Sequence, residues 1–179
     1  MAYKLTIGSP VIRLSDGACI PPDPANRDWR EYLEWLAAGN SPDPAETIDE
    51  VRARVWSAIK AKRDTIKAGG AKVGTKWYHS DEASRTQYIG LLRMADATVA
   101  AGGSGTTTLQ YSGQDIQWKT MDGSFIKMTV QRANDVFAAV SGLDFAAFGV
   151  AETHKAAMEA ATDPATYDFS TGWPATFGG

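Results

Sequence analysis

Three side chains in this sequence have the chemistry of nucleophiles, bases or soft metal ligands: Cys19, His79 and His154. They stand far apart along the chain, and a cysteine nucleophile needs a base beside it, whereas a zinc site normally needs three or four ligands. We therefore expect Cys19 to be a small packed residue of a strand and His79 a hydrogen-bonded surface residue. We expect His154, which falls on the apolar stripe of a helix, to be a partly buried structural histidine.

A second chemical candidate is the segment GGSGTTT at residues 102–108, but it lacks the Gly-Lys-Ser/Thr ending of a phosphate-binding loop. The pattern favours a linker. The carboxylates are scattered, with no pair whose spacing places both on one helix face beside a cleft, so there is no argument for acid–base catalysis. The sequence predicts no catalytic, cofactor-binding or metal-binding residues, and a protein that is not an enzyme.

Composition limits the class of protein further. The 179 residues are 44% hydrophobic and 22% charged, which is ordinary for one globular domain or a domain with an arm. A net charge of −3 without a basic run argues against a nucleic-acid partner. We expect no signal peptide, no membrane span and synthesis in the cytoplasm. Six Trp and six Tyr favour a protein that acts through interfaces.

Residues 1–45 read as an N-terminal arm made of a β-hairpin and an amphipathic helix. Asp16-Gly17 supplies the positive φ that a tight hairpin turn needs, and Asn26 is placed to cap the helix. The helix carries an aromatic and aliphatic stripe that we predict to be a docking face: Trp29, Tyr32, Leu33, Trp35 and Leu36. The sequence leaves open whether this face packs on the protein's own body or on another subunit.

Residues 46–179 read as a helical body that follows a proline-rich connector at 40–46. We predict helices over about 47–68, 81–101 and 130–162, capped by Thr47 or Asp43, by Ser80 and by Thr129 respectively. The buried stripes predicted for the last two helices include Val99 and Phe137. Turns at Gly74 and at Asp122-Gly123 predict short hairpins, so the fold class is α+β, with three to four helices packed on antiparallel hairpins.

The C-terminal tail is irregular but unusually aromatic. A wholly solvated tail would contain fewer large apolar side chains, so we expect docking through Tyr167, Phe169 and Trp173, on the protein itself or on a neighbour. The alanine-rich stripe of the last helix also leaves self-association open as an alternative.

Two parts of the chain resemble bacteriophage tail proteins. Residues 56–174 resemble a domain family of unknown function found on predicted tail and tail-fibre proteins, and the N-terminal part resembles a segment at the start of small phage tail proteins. The residues that carry the first resemblance are Lys60-Ala-Lys-Arg-Asp64, Gly69-Gly70, Trp77-Tyr78, Ser80-Asp81-Glu82, Ser84-Arg85, Tyr88, Trp118, Asp122-Gly123 and Gly172-Trp173-Pro174.

The resemblance implies where the protein works and does not imply a reaction. It implies a structural protein of the virion tail, partnered with fibre, tail-tip or baseplate subunits. The closing Gly172-Trp173-Pro174 is also similar to the end of some tail-fibre assembly factors, so an assembly chaperone absent from the mature virion is the alternative. An enzyme or small-ligand protein remains as a minor alternative. The resemblance supplies no catalytic or ligand residues.

Overall fold

The structure is a computed structural model that describes residues 1–178, and it has the α+β class with short antiparallel strand pairs predicted from the sequence. Its elements in chain order are β1 (Tyr3–Leu5), β2 (Val11–Arg13), β3 (Ala18–Ile20), α1 (Arg27–Ala37), α2 (Ile48–Ala68), β4 (Ala71–Val73), β5 (Lys76–Tyr78), α3 (Glu82–Ala100), β6 (Gln110–Tyr111), β7 (Gln114–Asp115), β8 (Gln117–Lys119), β9 (Phe125–Lys127), α4 (Val130–Ala160) and a 3₁₀ turn, Pro164–Thr166. The chain divides into two compact units, Met1–Val55 and Trp56–Gly179.

The first unit is built on an antiparallel sheet in the order β1-β2-β3. The turn between β2 and β3 is the one predicted at Asp16-Gly17, and Gly17 has a φ of +73°. Asp16 accepts two hydrogen bonds from the Arg13 guanidinium, which lower the pKa of the Asp16 carboxyl. The hairpin is therefore fixed at its turn by backbone conformation and by a charge-assisted side-chain pair.

The helix α1 covers one face of this sheet. Asn26 caps it as predicted, because its side chain accepts the amide hydrogen of Asp28 at 2.8 Å. Tyr32 is 5% exposed and meets the fully buried Tyr3 edge to face, with ring centroids 5.0 Å apart. The aromatic side of α1 thus closes a small core together with the three strands.

The proline-rich connector is paired with the sheet of the first unit. Leu5 donates its amide hydrogen to the Asp43 carbonyl at 2.8 Å, and Asp43 donates to the Tyr3 carbonyl at 2.8 Å. Thr47 and Glu50 then form a reciprocal capping box at the start of α2. Because the connector is hydrogen-bonded to β1, it belongs to the first unit, which extends to Val55.

The core of the second unit lies between α3 and α4. The inner side of α4 is a continuous buried stripe, and Thr129 caps this helix as predicted. Its buried members are Val130, Ala133, Val136, Val140, Leu143, Ala147, Ala151, His154 and Met158. From α3 they meet Tyr88, Leu91 and Ala95. Spacings of three and four residues hold both stripes on single helix faces, so the two helices pack along their length.

Three sequence predictions about these helices are wrong. Val99 and Phe137 were placed in buried stripes, but they are 52% and 38% exposed, because each lies to one side of the face that meets the other helix. Ser80 does not cap α3. The cap is Asp81, whose carboxylate accepts the Ser84 amide hydrogen at 3.0 Å, and this contact lowers the pKa of Asp81.

The helix α4 is strongly apolar. By length and composition alone it is long and apolar enough to cross a membrane. A core helix of a globular protein meets the same criterion, and α4 contributes the longest buried stripe of the second unit. Only 28% of its most apolar stretch is buried, so much of this apolar helix faces outward.

Glycines set the turns of the short hairpins. Gly74 between β4 and β5 has a φ of +60°, and Gly123 between β8 and β9 has a φ of +82°. Both turns were predicted from the sequence. The β6–β7 hairpin, whose turn is Ser112-Gly113, was not, because two-residue strands give almost no periodic signal.

Two glycine substitutions should have opposite effects on stability. Gly90 lies inside α3 without a positive φ, and Gly74 has a φ of +60°; a Cβ atom added at either position meets nothing within 4 Å. We expect Gly90→Ala to raise the free energy of unfolding by roughly 0.5–1 kcal/mol, because alanine restricts the unfolded chain. Gly74→Ala should lower it by roughly 1–2 kcal/mol, because an L-residue is strained there. Urea unfolding measures both, and changes of the same sign would contradict the assignment.

Candidate functional site

Cys19 lies in the first unit, and His79 and His154 lie in the second. Cys19 is exposed on β3, which corrects the expectation that it is packed. His79 is half-buried, and its carbonyl accepts the Tyr88 hydroxyl at 2.8 Å. Among residues 1–178, no group of three or more His, Cys, Asp or Glu side chains could hold a metal ion.

One polar cluster has the residue types of a catalytic dyad. Lys76 Nζ donates to the Asp122 carboxylate at 2.7 Å and to the Ser124 hydroxyl at 2.8 Å. The same carboxylate accepts the Thr120 hydroxyl at 2.6 Å and the Ser124 amide hydrogen at 3.0 Å. These hydrogen bonds, that of Lys76 first, hold the pKa of Asp122 far below its usual range. The polar groups of the cluster hydrogen-bond to one another and connect the β8–β9 turn to β5. Its arrangement therefore stabilises the turn.

Several residues that carry the family resemblance, among them Gly70 and Arg85, lie instead around the buried hydroxyl of Ser80. This hydroxyl accepts the amide hydrogen of Gly70 at 2.8 Å and donates to the carbonyl of Lys67 at 2.6 Å. Ser80 is 1% exposed, so water does not replace either partner. One side chain therefore satisfies two backbone groups released where α2 ends and β4 begins, which is why Ser80 is unavailable as the cap of α3.

Arg85 extends this arrangement from α3 to α4. Its guanidinium donates to the carbonyls of Ser80 at 2.5 Å and Lys67 at 2.9 Å, and to the Asp144 carboxylate at 2.5 Å. The other carboxylate oxygen of Asp144 accepts no hydrogen bond, but Lys67 Nζ lies 3.7 Å from it. We call these five residues, Lys67, Gly70, Ser80, Arg85 and Asp144, the Ser80 joint. It connects the end of α2 with α3 and α4.

An open cavity of about 400 Å³ lies beside the Ser80 joint. Most of its polar groups are already engaged by protein atoms: Arg85 donates to three of them, and Asp81 caps α3. Apart from Asp81 and the residues of the Ser80 joint, the two charged side chains that line it, Asp64 and Glu82, are acidic and exposed. The geometry fits a structural ion-pair network at the meeting point of three helices better than a pocket prepared for a ligand.

Tyr88 and Trp118 join α3 to the β8–β9 hairpin. Their ring centroids are 5.0 Å apart, and Tyr88 is 1% exposed. Burial raises the pKa of the Tyr88 phenol, so the hydroxyl is present as a donor and holds the His79 carbonyl. Two further motif residues thus act through packing and a backbone hydrogen bond.

His154 anchors the C-terminal tail. Its Nε2 lies 2.9 Å from the carbonyl of Thr171, and its Nδ1 lies 2.8 Å from the hydroxyl of Tyr167. A carbonyl can only accept, so Nε2 carries the hydrogen; in the neutral ring Nδ1 accepts the Tyr167 hydroxyl hydrogen. The Trp173 ring stacks on the imidazole at 5.4 Å. His154 is 9% exposed, which agrees with the structural role predicted for it.

The rest of the tail follows the end of α2 and the β4–β5 hairpin. Trp173 donates its indole hydrogen to the Phe169 carbonyl at 2.7 Å, and Phe177 donates its amide hydrogen to the Gly69 carbonyl at 2.9 Å. Phe177 also contacts Trp77, with ring centroids 6.3 Å apart. The predicted docking residues Tyr167, Phe169 and Trp173 are all half-buried within their own chain.

The predicted docking residues of α1 divide into two groups. Tyr32 is buried, and Trp29, Trp35 and Leu36 are partly buried against the sheet of the first unit. Leu33 is 44% exposed and lies outside that contact. The aromatic stripe of α1 therefore packs mainly inside the first unit. Its solvent-exposed part is the edge of the helix at Leu33.

Two partners in these contacts, Asp144 and Thr171, have no local signal in the sequence. Asp144 lies in the midst of an apolar helix and 59 positions from Arg85, so no local spacing identifies the pair. The sequence feature that could have identified Asp144 is that it is the one ionisable residue between Asp135 and Glu152. Thr171 contributes a backbone carbonyl, which no side-chain pattern reveals.

Removal of the Ser80 hydroxyl should destabilise the second unit. Ser80→Ala leaves the buried Gly70 amide hydrogen without an acceptor, and a loss of about 1–3 kcal/mol in the free energy of unfolding is expected. Ser57→Ala is the matched control, because Ser57 is exposed on α2 and its replacement by alanine should be neutral or slightly stabilising. Equal effects of the two substitutions on urea unfolding would contradict a special role for Ser80.

A methyl group at Gly69 should displace the tail. A Cβ atom there would lie 2.4 Å from Thr176 Cγ2 and 2.8 Å from Thr176 Cβ, so the tail must move. We expect Gly69→Ala to speed hydrogen exchange in residues 164–178 while α3 keeps its protection. The control is Gly90→Ala, which has open space around the new methyl group. An unchanged tail in Gly69→Ala would contradict the close approach.

Comparison with known proteins gives one match. No curated protein and no solved structure matches the chain. A family model described as "Domain of unknown function (DUF4376)" matches residues 50–171, which is more than half of the chain and contains the whole Ser80 joint. The description names no activity, ligand or partner. The chain belongs to the DUF4376 family.

Proposed function

We propose that this protein is a non-enzymatic structural component of a bacteriophage virion tail, attached to or bridging a tail fibre or tail tip by protein–protein contacts. It is made in the host cytoplasm and carried in the virion. The observation that carries the proposal is the run from Lys60 to Tyr88, whose helix, paired glycines, Trp-Tyr, Ser-Asp-Glu and Ser-Arg segments resemble phage tail proteins.

The roles of these motif residues support a structural protein. The hydrogen bonds of Gly70, Ser80 and Arg85 hold helix ends together, and the Tyr88 hydroxyl donates to the carbonyl of His79. These residues stabilise a rigid scaffold, which fits a structural role. Binding then depends on surfaces away from the motif.

The exposed edge of α1 is the surface best suited to a fibre, tail-tip or baseplate subunit. Leu33 is 44% exposed beside the half-buried Trp29 and Leu36, so a partner that covers Leu33 also removes aromatic and aliphatic area from water. The helix is held rigidly by Asn26 and by the Arg13 ion pairs with Asp28 and Glu31, so little ordering cost remains for binding.

A tail-fibre assembly chaperone is the second candidate. The specific observation that favours it is the closing Gly172-Trp173-Pro174, which is similar to the end of some assembly factors. A chaperone predicts fibres that fail to assemble without this protein, and finished particles that lack it.

Mass spectrometry of purified virions separates the two candidates. We expect peptides of this chain in the intact particles of the phage that encodes it, at a fixed ratio to the other tail proteins. Their complete absence from particles would refute the structural role. Absence combined with failed fibre assembly in a deletion phage would establish the chaperone instead.

A matched pair of variants tests the docking edge in the same experiment. Leu33→Asp and Leu14→Asp introduce the same charge at side chains that are 44% and 46% exposed, but only Leu33 lies on α1. We expect Leu33→Asp to reduce the copies per virion by about tenfold or more, as for loss of a central apolar anchor. Equal incorporation of both variants would show that the α1 edge is not the docking surface.

A further inference from the structure

The middle of α4 lacks the charges that a solvent-facing helix normally carries. The sixteen residues between Asp135 and Glu152 contain one ionisable side chain, Asp144, and Arg85 and Lys67 hold it. A surface helix of a globular protein ordinarily places charged and polar side chains opposite its buried stripe. At 1.5 Å per residue, roughly 24 Å of this helix departs from that rule.

Three exposed phenylalanines lie on this part of the helix. Phe137, Phe145 and Phe148 are 38%, 79% and 54% exposed. Steps of about 100° per residue place them within roughly 80° of one another around the axis, beside the buried stripe. With the exposed small residues that adjoin them they form what we call the outer face of α4: Phe137, Ala138, Gly142, Phe145, Ala146, Phe148 and Gly149.

The outer face combines large and small side chains in a self-complementary way. Cβ atoms added at Gly142 or Gly149 would meet nothing within 4 Å, so both positions are open to an approaching surface. A second helix can come close over these glycines, and the phenylalanine rings of each copy can then cover the small residues of the other. Self-complementarity is what a two-fold interface between identical chains requires.

We propose that a second copy of this chain covers the outer face, with the two α4 helices crossing about a two-fold axis near Phe145. This goes beyond the proposed tail function and does not rest on it.

The exposed area reaches the lower limit for a specific dimer interface. A buried aromatic side chain removes about 150–250 Å² from water, so the exposed fractions of the three phenylalanines amount to roughly 350 Å² per copy. Two copies together bury about twice that from phenylalanine alone, and the small residues bring the total near the 1,000 Å² or so that a specific interface needs.

Charge does not favour a lipid surface. At the ends of the apolar stretch Asp135 and Glu152 are balanced by Arg132 and Lys155, and the chain has a net charge of −3, so an anionic bilayer finds no excess of basic side chains there. The opposite side of α4 is occupied by the core of the second unit, so lipid cannot surround the helix. The two-fold contact removes only uncharged side chains from water.

Sedimentation equilibrium of the full chain tests the inference. We expect a concentration-dependent dimer, and we expect the double substitution Phe145→Glu with Phe148→Glu to raise its Kd by about a hundredfold or more, with an unchanged circular dichroism spectrum. The control is Phe125→Glu, because Phe125 is 67% exposed on β9 and off α4, and its Kd should match that of the unmodified chain.

A second variant keeps the inference falsifiable if the double substitution fails to fold. Gly142→Leu adds no charge and suits a helix, but it blocks close approach, so we expect a Kd raised by about tenfold. A monomer at every concentration would overturn the inference, and so would a dimer that neither variant weakens. Co-sedimentation of a monomeric chain with phosphatidylcholine or phosphatidylserine vesicles, lost in the double variant, would overturn it in favour of a lipid surface.

Discussion

The hydroxyl of Ser80 is the interaction on which the second unit depends. Where α2 ends at Gly69-Gly70, the chain must turn sharply and leave backbone groups unpaired in the interior. Ser80 satisfies two of them, and Arg85 then uses the carbonyls of Lys67 and Ser80 to position its guanidinium toward α4. Removing the hydroxyl would leave a buried donor unmatched, which costs more than an ordinary hydrogen bond contributes.

This joint accounts for the residue types of the most distinctive stretch of the sequence. Its glycines, serine and arginine have the types found in active sites, but each is fully used by a neighbouring backbone group or by Asp144. Within the second unit the joint also fixes the position of α4, whose outer face carries three exposed phenylalanines. The first unit has its own exposed edge at Leu33, held by the packing of Tyr32 on Tyr3.

Local rules predicted local features well. The caps at Asn26 and Thr129 and the turns at Gly17 and Gly123 follow from side-chain chemistry within a few residues, and all four are present. Partners distant in sequence were not predicted, because spacing carries no information about the pairing of Arg85 with Asp144. Local spacing predicts Ser80 as the cap of α3, whereas its buried hydroxyl donates to the carbonyl of Lys67 at the end of the preceding helix.

Amide hydrogen exchange at Gly70 tests the central claim most directly. If the Gly70 amide is buried against the Ser80 hydroxyl and the joint opens only when the second unit unfolds, its exchange should be as slow as that of core amides in α3, such as Leu91. Exchange at the rate of an exposed turn would show that the joint opens locally. That result would contradict the account of Ser80 as the point that holds the three helices together.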